Sequence, residues 1–377
     1  MPETDIPETV KAAVLEAYNE PLVVRDVKVP QELEPNAILT RIESATICGS
    51  DVHLWKGGMV DTVGRMVPAI PGHEMVGTIV KFGDGPHRDS LGVPLEIGDR
   101  IVWTHGSCFS CYACTMLHSP SMCENRRYYM YENCDEYPYL VGGLAQYCYV
   151  FPGSQRVRVP DSIPDHWAAG SSCALRTVVS TFDRLVDPLT GFQTLVIQGA
   201  GPLGLFATAY ARWHGVERII VIGAPAARLE IAKDWGAWKT LSVEELPDPK
   251  DRIQAVRDLT DGHGGDVVME FSGGRTAFPE GLEMARTAGQ YLVTGQTTGA
   301  TTEVMPALVT RKRLTVSGSW SADASHYWKA LNFMVKARDA VDFDRLFSDK
   351  YALTEINVAM ERMESFTDAK PVIDPWQ

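Results

Sequence analysis

The chain has 377 residues, 45% apolar and 22% charged, a globular composition that excludes a disordered or collagen-like protein. Lys plus Arg number 35 against 48 Asp plus Glu, and the resulting net charge of −13 would repel a phosphate backbone, so nucleic acid is not an expected partner. At about 150 residues per domain the length predicts two to three domains. The N-terminus, from Met1 to Ile6, is acidic and lacks a basic residue followed by an apolar run, so no secretory or mitochondrial signal is expected. The most apolar stretch, 195–211, contains Gln198 and three glycines and is too broken to span a bilayer. The expectation is a soluble, cytoplasmic protein with no membrane partner.

In chain order, residues 10–160 read as short strands divided by Gly and Pro turns, with strands expected at 21–29, 37–42, 76–80 and 100–103. The pattern changes after Pro160. A short apolar run at 194–198 ends in a glycine-rich turn, and a helix is expected from 202 to about 214. Next come a strand at 218–222, a helix at 226–235, and strands at 266–270 and 290–294. Strands alternating with helices predict a parallel, doubly wound sheet. A helical segment at 327–337 leads into mixed structure at the C-terminus, with no repeat and no low-complexity linker.

The turn reads Gly199-Ala200-Gly201-Pro202-Leu203-Gly204, a G-x-G-x-x-G between a strand and a helix. The first glycine permits the tight turn, the second lets backbone approach a pyrophosphate, and the third lets helix and strand pack closely. Pro202 suits the first helical turn, and the free N–H groups there face the anion. Such a turn often merely connects elements; with its flanking strand and helix it predicts dinucleotide binding. The end of the second strand, where an acid would bind the ribose hydroxyls of NAD, holds Gly223 instead. No basic residue follows it directly, and Arg228 is either a ribose-side residue or a surface residue opening the helix. NAD is therefore expected ahead of NADP by a small margin.

Of the eight cysteines, Cys108, Cys111, Cys114 and Cys123 form C-x2-C-x2-C-x8-C in a loop-like segment of about 106–124. In a reducing compartment such spacing points to metal, and four thiolates in one loop suit a closed tetrahedral zinc site. A nucleic-acid zinc finger conflicts with the acidic balance. Cys48, His73 and Cys173 are scattered, and each alone is more often a buried hydrophobe or a satisfied core histidine than a ligand.

In order, Cys48-Gly49-Ser50-Asp51-Val52-His53, Pro71-Gly72-His73-Glu74, the four-cysteine loop, Cys173 and the Gly199 turn resemble the zinc-dependent medium-chain alcohol dehydrogenases over nearly the whole chain. Two Cys, one His and an open position are the known catalytic arrangement of alcohol dehydrogenase, so this ligand set is matched to a pattern and not deduced. The resemblance implies an α/β protein with a GroES-like β domain, 1–174 plus 321–377, and a Rossmann doubly wound domain, 175–320. It implies a catalytic zinc on Cys48, His73 and Cys173, and a structural zinc on the four-cysteine loop. The spacing before Cys123 is one residue longer than the commonest family pattern, which leaves Cys134 as an alternative.

Glu74 would be a neighbouring or transient ligand, and Asp51 would accept the other ring N–H of His73. Zinc would draw the alcohol's pKa toward neutrality, and the proton would leave through Ser50, the coenzyme ribose and His53 before hydride passes to the nicotinamide. Thr177 matches the position touching the nicotinamide, and Lys370 is expected at the pyrophosphate unless it is a free surface lysine. Trp55, Thr104 and His105 are the expected substrate pocket, suited to a secondary or cyclic alcohol or its carbonyl product. A tyrosine-rich segment, 124–143, would cover the cleft, form a subunit contact or simply pack, and Arg176 has no assigned role. A homodimer or homotetramer is expected. The alternatives are a polyol or sugar dehydrogenase of the same fold and a non-catalytic zinc-stabilised binding protein.

Overall fold

A computed structural model describes residues 6–58, 66–296 and 300–377. Residues 1–5, part of the segment read for a targeting signal, lie outside the described residues. The chain divides into two compact units, the first Met1–Arg176, Ser321–Lys336 and Leu346–Gln377, the second Thr177–Trp320 and Ala337–Arg345. The segment 337–345, expected in the first domain, belongs to the second because Phe343 is fully buried there against Phe206 and Trp235, with ring centroids 6.2 and 5.9 Å away.

The first unit is built on a seven-stranded, mostly antiparallel sheet. Its longest strand, Ile38–Thr46, pairs antiparallel with Met75–Phe82, Tyr147–Val150 and Lys370–Asp374. Ile38, Leu39, Ile42 and Ile47 are fully buried, each contributing about 1.5–3 kcal/mol of transfer free energy relative to exposure. The pairing register has a direct consequence for chemistry. Thr46 N–H donates to the Glu74 carbonyl at 2.9 Å and Ile47 N–H to the Pro371 carbonyl at 3.1 Å. The end of one strand, the start of the next and the start of the last therefore meet, bringing Cys48, His73, Glu74 and Lys370 to one sheet end.

The second unit is a six-stranded, all-parallel sheet ordered Lys239–Ser242, Arg218–Gly223, Thr194–Gln198, Gly265–Glu270, Ala285–Val293, Thr315–Gly318. Counted along the chain this order is 3-2-1-4-5-6, the dinucleotide-binding order, with its switch point between Thr194–Gln198 and Gly265–Glu270. Thr194–Gln198 is buried at every position, as an interior parallel strand covered on both faces requires. The strands Lys239–Ser242 and Thr315–Gly318 escape a reading of the sequence because each is a four-residue, half-exposed edge strand without apolar alternation. Among the described residues no helix is long and apolar enough to cross a membrane.

Candidate active site

Cys48 immediately precedes the helix Gly49–Trp55, and the Asp51 carboxylate ties this corner together. One Asp51 oxygen accepts from Cys48 N–H at 2.8 Å and the other from Gly72 N–H at 2.9 Å. The expected bond from His73 is not made. His73 Nδ1 lies 3.6 Å from Asp51 Oδ1, just beyond hydrogen-bonding range, and that oxygen accepts from the Gly72 N–H beside it. Asp51 thus positions both ligand segments through their main chain. The other ring nitrogen, Nε2, lies 3.4 Å from Ser50 Oγ. His53, on the same helix, is exposed.

The third segment arrives through the helix Asp165–Gly170, which runs into a π-helical turn, Ser171–Leu175, carrying Cys173. Such local widening of a helix frequently marks a functional site. One ligand atom from each of Cys48, His73, Glu74 and Cys173 lies within 4.8 Å of the others. The two thiols are shifted in opposite directions. Cys173 is pulled well below the ordinary thiol range by the Cys48 hydrogen bond, against burial, with Arg176 and His73 assisting. Cys48 is pushed up to about 11 by the bond to Cys173 and by burial.

Glu74 Oε2 accepts from Thr46 Oγ1 at 2.6 Å and is ion-paired with Lys370, while Oε1 is buried with no partner. Burial, opposed by Lys370, raises the Glu74 carboxyl to about 7. Lys370, expected at a pyrophosphate, is therefore a buried counter-ion, 1% exposed. Two thiols, an imidazole and an unpartnered carboxylate oxygen form a donor set that fits zinc.

The four-cysteine loop fits zinc equally well. Sγ separations are 3.4 Å for Cys108–Cys123, 3.5 Å for Cys111–Cys114 and 3.9 Å for Cys111–Cys123. Tetrahedral bonds of about 2.3 Å place sulfurs about 3.8 Å apart. Backbone N–H groups of Cys108, Ser110 and Glu124 point at these sulfurs. Cys134 is outside the cluster, buried, and accepts from Arg25 at 3.5 Å.

The expected pocket residues fall unevenly. Trp55 packs in the first unit's core and its indole N–H donates to the Glu20 carbonyl at 2.7 Å. The Thr104 hydroxyl donates to the His105 carbonyl and accepts from Gln155 N–H. His105 stacks beside His73, centroids 6.3 Å apart, and burial with Arg126, His73 and Arg176 nearby keeps its ring neutral. The tyrosine-rich segment mostly packs: Tyr129 is buried and its hydroxyl meets Ser154 Oγ at 3.0 Å. Tyr131 feels His73, Asp51 and Cys48, and with Tyr128 it extends the aromatic surface around His105. Tyr327 and Arg126 are site neighbours that the sequence reading did not single out, Arg176 was noted there without a role, and Tyr131 lies in the segment expected to cover the cleft, form a subunit contact or pack. For Arg176 the signal is its place one helical turn beyond Cys173.

In the second unit, Gly199 adopts a φ of +116°, so its lack of a side chain is required. A Cβ at Gly204 would sit 1.8 Å from the Gly199 carbonyl oxygen, whereas one at Gly201 would meet nothing within 4 Å. The backbone at Gly201 is thus open to a ligand while Gly204 is committed to packing. Leu203 and Pro202 lie in the first turn of the helix Pro202–Trp213. Gly223 is also closely packed, since a Cβ there would lie 2.6 Å from both Ala200 N and its Cβ. Arg228 is buried in the helix Ala226–Asp234, and Thr177, also buried, accepts Thr181 Oγ1 through its carbonyl at 2.9 Å. Glu270, unremarked in the sequence, accepts from Ser272, Gly273 and Gly295 N–H groups and organises the loops at the switch point.

Family models for an alcohol dehydrogenase GroES-like domain and a zinc-binding dehydrogenase match residues 34–161 and 202–336. A 5-exo-hydroxycamphor dehydrogenase of Pseudomonas putida is 31% identical over 90% of this chain and 92% of its own length. The crystal structure of an alcohol dehydrogenase from Thermotoga maritima superposes with a TM-score of 0.88 at 33% identity, covering 97% of this chain and 99% of that one. A zinc-binding dehydrogenase of Sinorhizobium meliloti, solved bound to NADP, superposes with a TM-score of 0.81 at 25% identity, covering 98% and 100%.

Proposed function

The chain belongs to the zinc-dependent medium-chain alcohol dehydrogenase family, oxidoreductases acting on alcohols, and on that premise we propose that Cys48, His73 and Cys173 hold a catalytic zinc and the four-cysteine loop a structural one. The observation that carries the reading is the meeting of donor atoms from three separate segments within 4.8 Å. When bound, the ion lowers an alcohol's pKa and the nicotinamide coenzyme takes up the hydride.

The chain's own residues do the rest. Asp51 fixes the two ligand segments by their backbone. Ser50, 3.4 Å from His73 Nε2, would take the alcohol's proton and pass it through the coenzyme ribose to exposed His53 for exchange with solvent. Neutral His105 adds no charge beside the metal ligands, and with Tyr128 and Tyr131 it supplies an aromatic wall. Gly201 and the first turn of Pro202–Trp213 receive the pyrophosphate, with Thr177 at the nicotinamide. NAD leads NADP by no more than a small margin. Gly223 leaves no room for a side chain to reject a 2′-phosphate, and the NADP-bound relative supports tolerance of both.

The substrate class is a secondary or cyclic alcohol, which the relative named for hydroxycamphor supports. Assembly as a homodimer or homotetramer is supported by the exposed edge strand Thr315–Gly318, whose backbone groups are available for pairing. Working in the reducing cytoplasm keeps the thiolates available to metal. Steady-state kinetics with both coenzymes over primary, secondary, cyclic and polyol substrates test the reading. Secondary and cyclic alcohols are expected to give the highest kcat/KM. A preference for ethanol overturns the substrate class, and a preference for polyols reassigns it.

A further inference from the structure

Arg176 stands beside a metal ligand and Arg126 lies near Arg176 and His105, and neither guanidinium has a carboxylate partner among the described residues. Arg176 is 5% exposed; its Nε donates to the Ser172 carbonyl at 3.1 Å and its Nη2 lies 3.7 Å from Cys173 Sγ. Its Cζ sits 5.5 Å from the Tyr327 ring centroid. That leaves Nη1 buried with no partner at all. Arg126 is held by the Ser121 carbonyl and by Ser321 Oγ at 2.6 Å, and its Nε is likewise buried and unpartnered. The acid near Arg126, Asp323, is taken instead by Ser121, from its N–H at 2.8 Å and its hydroxyl at 3.3 Å. Lys370 and Glu74 neutralise each other.

Each guanidinium is therefore held in place by neutral groups or a ligand sulfur, with one N–H edge left over. A buried cation and an unmade buried hydrogen bond are both costly. The planar donor fork of arginine matches the oxygens of a carboxylate or phosphonate. The bland alternative is that Arg176 only braces its helical turn through Ser172 and offsets the charge of the thiolates.

We propose that Arg176, assisted by Arg126, binds an oxyanionic group of the substrate, so that the alcohol oxidised here carries a carboxylate or phosphonate one or two carbons from its hydroxyl. The short spacing follows from the 3.7 Å approach of Arg176 to a ligand sulfur. The inference rests on the metal-site reading above and narrows its substrate class to an anionic secondary alcohol.

The test uses the holoenzyme, with zinc content verified for every variant. Matched substrates are compared: a 3-hydroxycarboxylate against its methyl ester, and a 2-hydroxyalkylphosphonate against its dimethyl ester. In the wild type at least one anion is expected to exceed its ester by tenfold or more in kcat/KM, and the preferred pair tells carboxylate from phosphonate. Arg176→Gln lowers that ratio at least tenfold, mainly through KM, and Arg176→Lys restores part of it; Arg126→Gln lowers it less. A wild-type ratio at or below one for both pairs, or a ratio unchanged in Arg176→Gln, overturns the proposal. Should no alcohol be oxidised with either coenzyme although zinc is bound, the proposed activity fails while the metal site stands. Thermal melts of the wild type with malonate or methylphosphonate at constant ionic strength then decide the anion site alone. A saturable rise in melting temperature supports it, and no rise overturns it.

Discussion

Lys370 and Glu74 lie against each other with side-chain exposures of 1% and 0%, and the carboxylate also receives the Thr46 hydroxyl. Removing one member of such a pair leaves the other charged and unsolvated, which costs about 3–5 kcal/mol. Because burial already raises Glu74 to about 7, it takes up a proton once the lysine is gone, and Lys370→Met is expected to lower the unfolding free energy of the holoenzyme by less than that amount, read from denaturant midpoints. Combining it with Glu74→Gln should recover most of the loss, because the glutamine keeps the Thr46 contact without the charge. An unchanged midpoint in Lys370→Met would mean the lysine is not a buried counter-ion. Nothing local in the sequence announces this pair: the partners are 296 positions apart and meet only through strand register. Cys48 and His73 were legible because family-like neighbours surround each one, and the cysteine quartet from its own close spacing. Asp51 was legible as a neighbour of the ligands, but its bonds to Cys48 and Gly72 N–H groups, in place of the His73 ring, depend on backbone geometry that spacing does not encode.

The strand–turn–helix formed by Thr194–Gln198 and Pro202–Trp213 separates two uses of glycine. At Gly204 an added methyl would stand 1.8 Å from the Gly199 carbonyl oxygen, and the strain falls on the packing of helix against strand. At Gly201 the methyl would enter open space. Gly204→Ala is therefore expected to destabilise the protein by about 1–3 kcal/mol, as overpacking does. Gly201→Ala should melt normally yet bind NAD(H) or NADP(H) at least tenfold more weakly, measured by nicotinamide fluorescence titration. Equal coenzyme affinity in Gly201→Ala and wild type would place the pyrophosphate elsewhere. The long interior strands and this turn could be read from the chain because burial on both faces forces continuous apolar runs. The edge strands could not, since Lys239–Ser242 and Thr315–Gly318 are short and half-exposed. The segment 337–345 was misplaced for a related reason. Its allegiance is decided by the single aromatic side chain of Phe343, and one residue carries no periodicity.

Across the whole chain, both donor clusters belong to the first unit and the glycine turn to the second. The acidic balance of −13 suits a small-molecule enzyme and opposes polyanionic partners. The fold class was readable from the change in period near residue 160, and the family from the order of its motifs. The charged lining supplied by Arg126 and Arg176 was not, because it depends on which of their nitrogens the surrounding carbonyls and hydroxyls leave unused. The central claim is that Cys48, His73 and Cys173 share one catalytic zinc distinct from that of the cysteine loop. Zinc per chain, measured by elemental analysis in wild type and Cys48→Ser alongside coenzyme binding and turnover, tests it most directly. The account predicts about two zinc ions in the wild type and about one in the variant, with alcohol oxidation lost and coenzyme binding kept. Undiminished turnover with an unchanged zinc count in Cys48→Ser would contradict it.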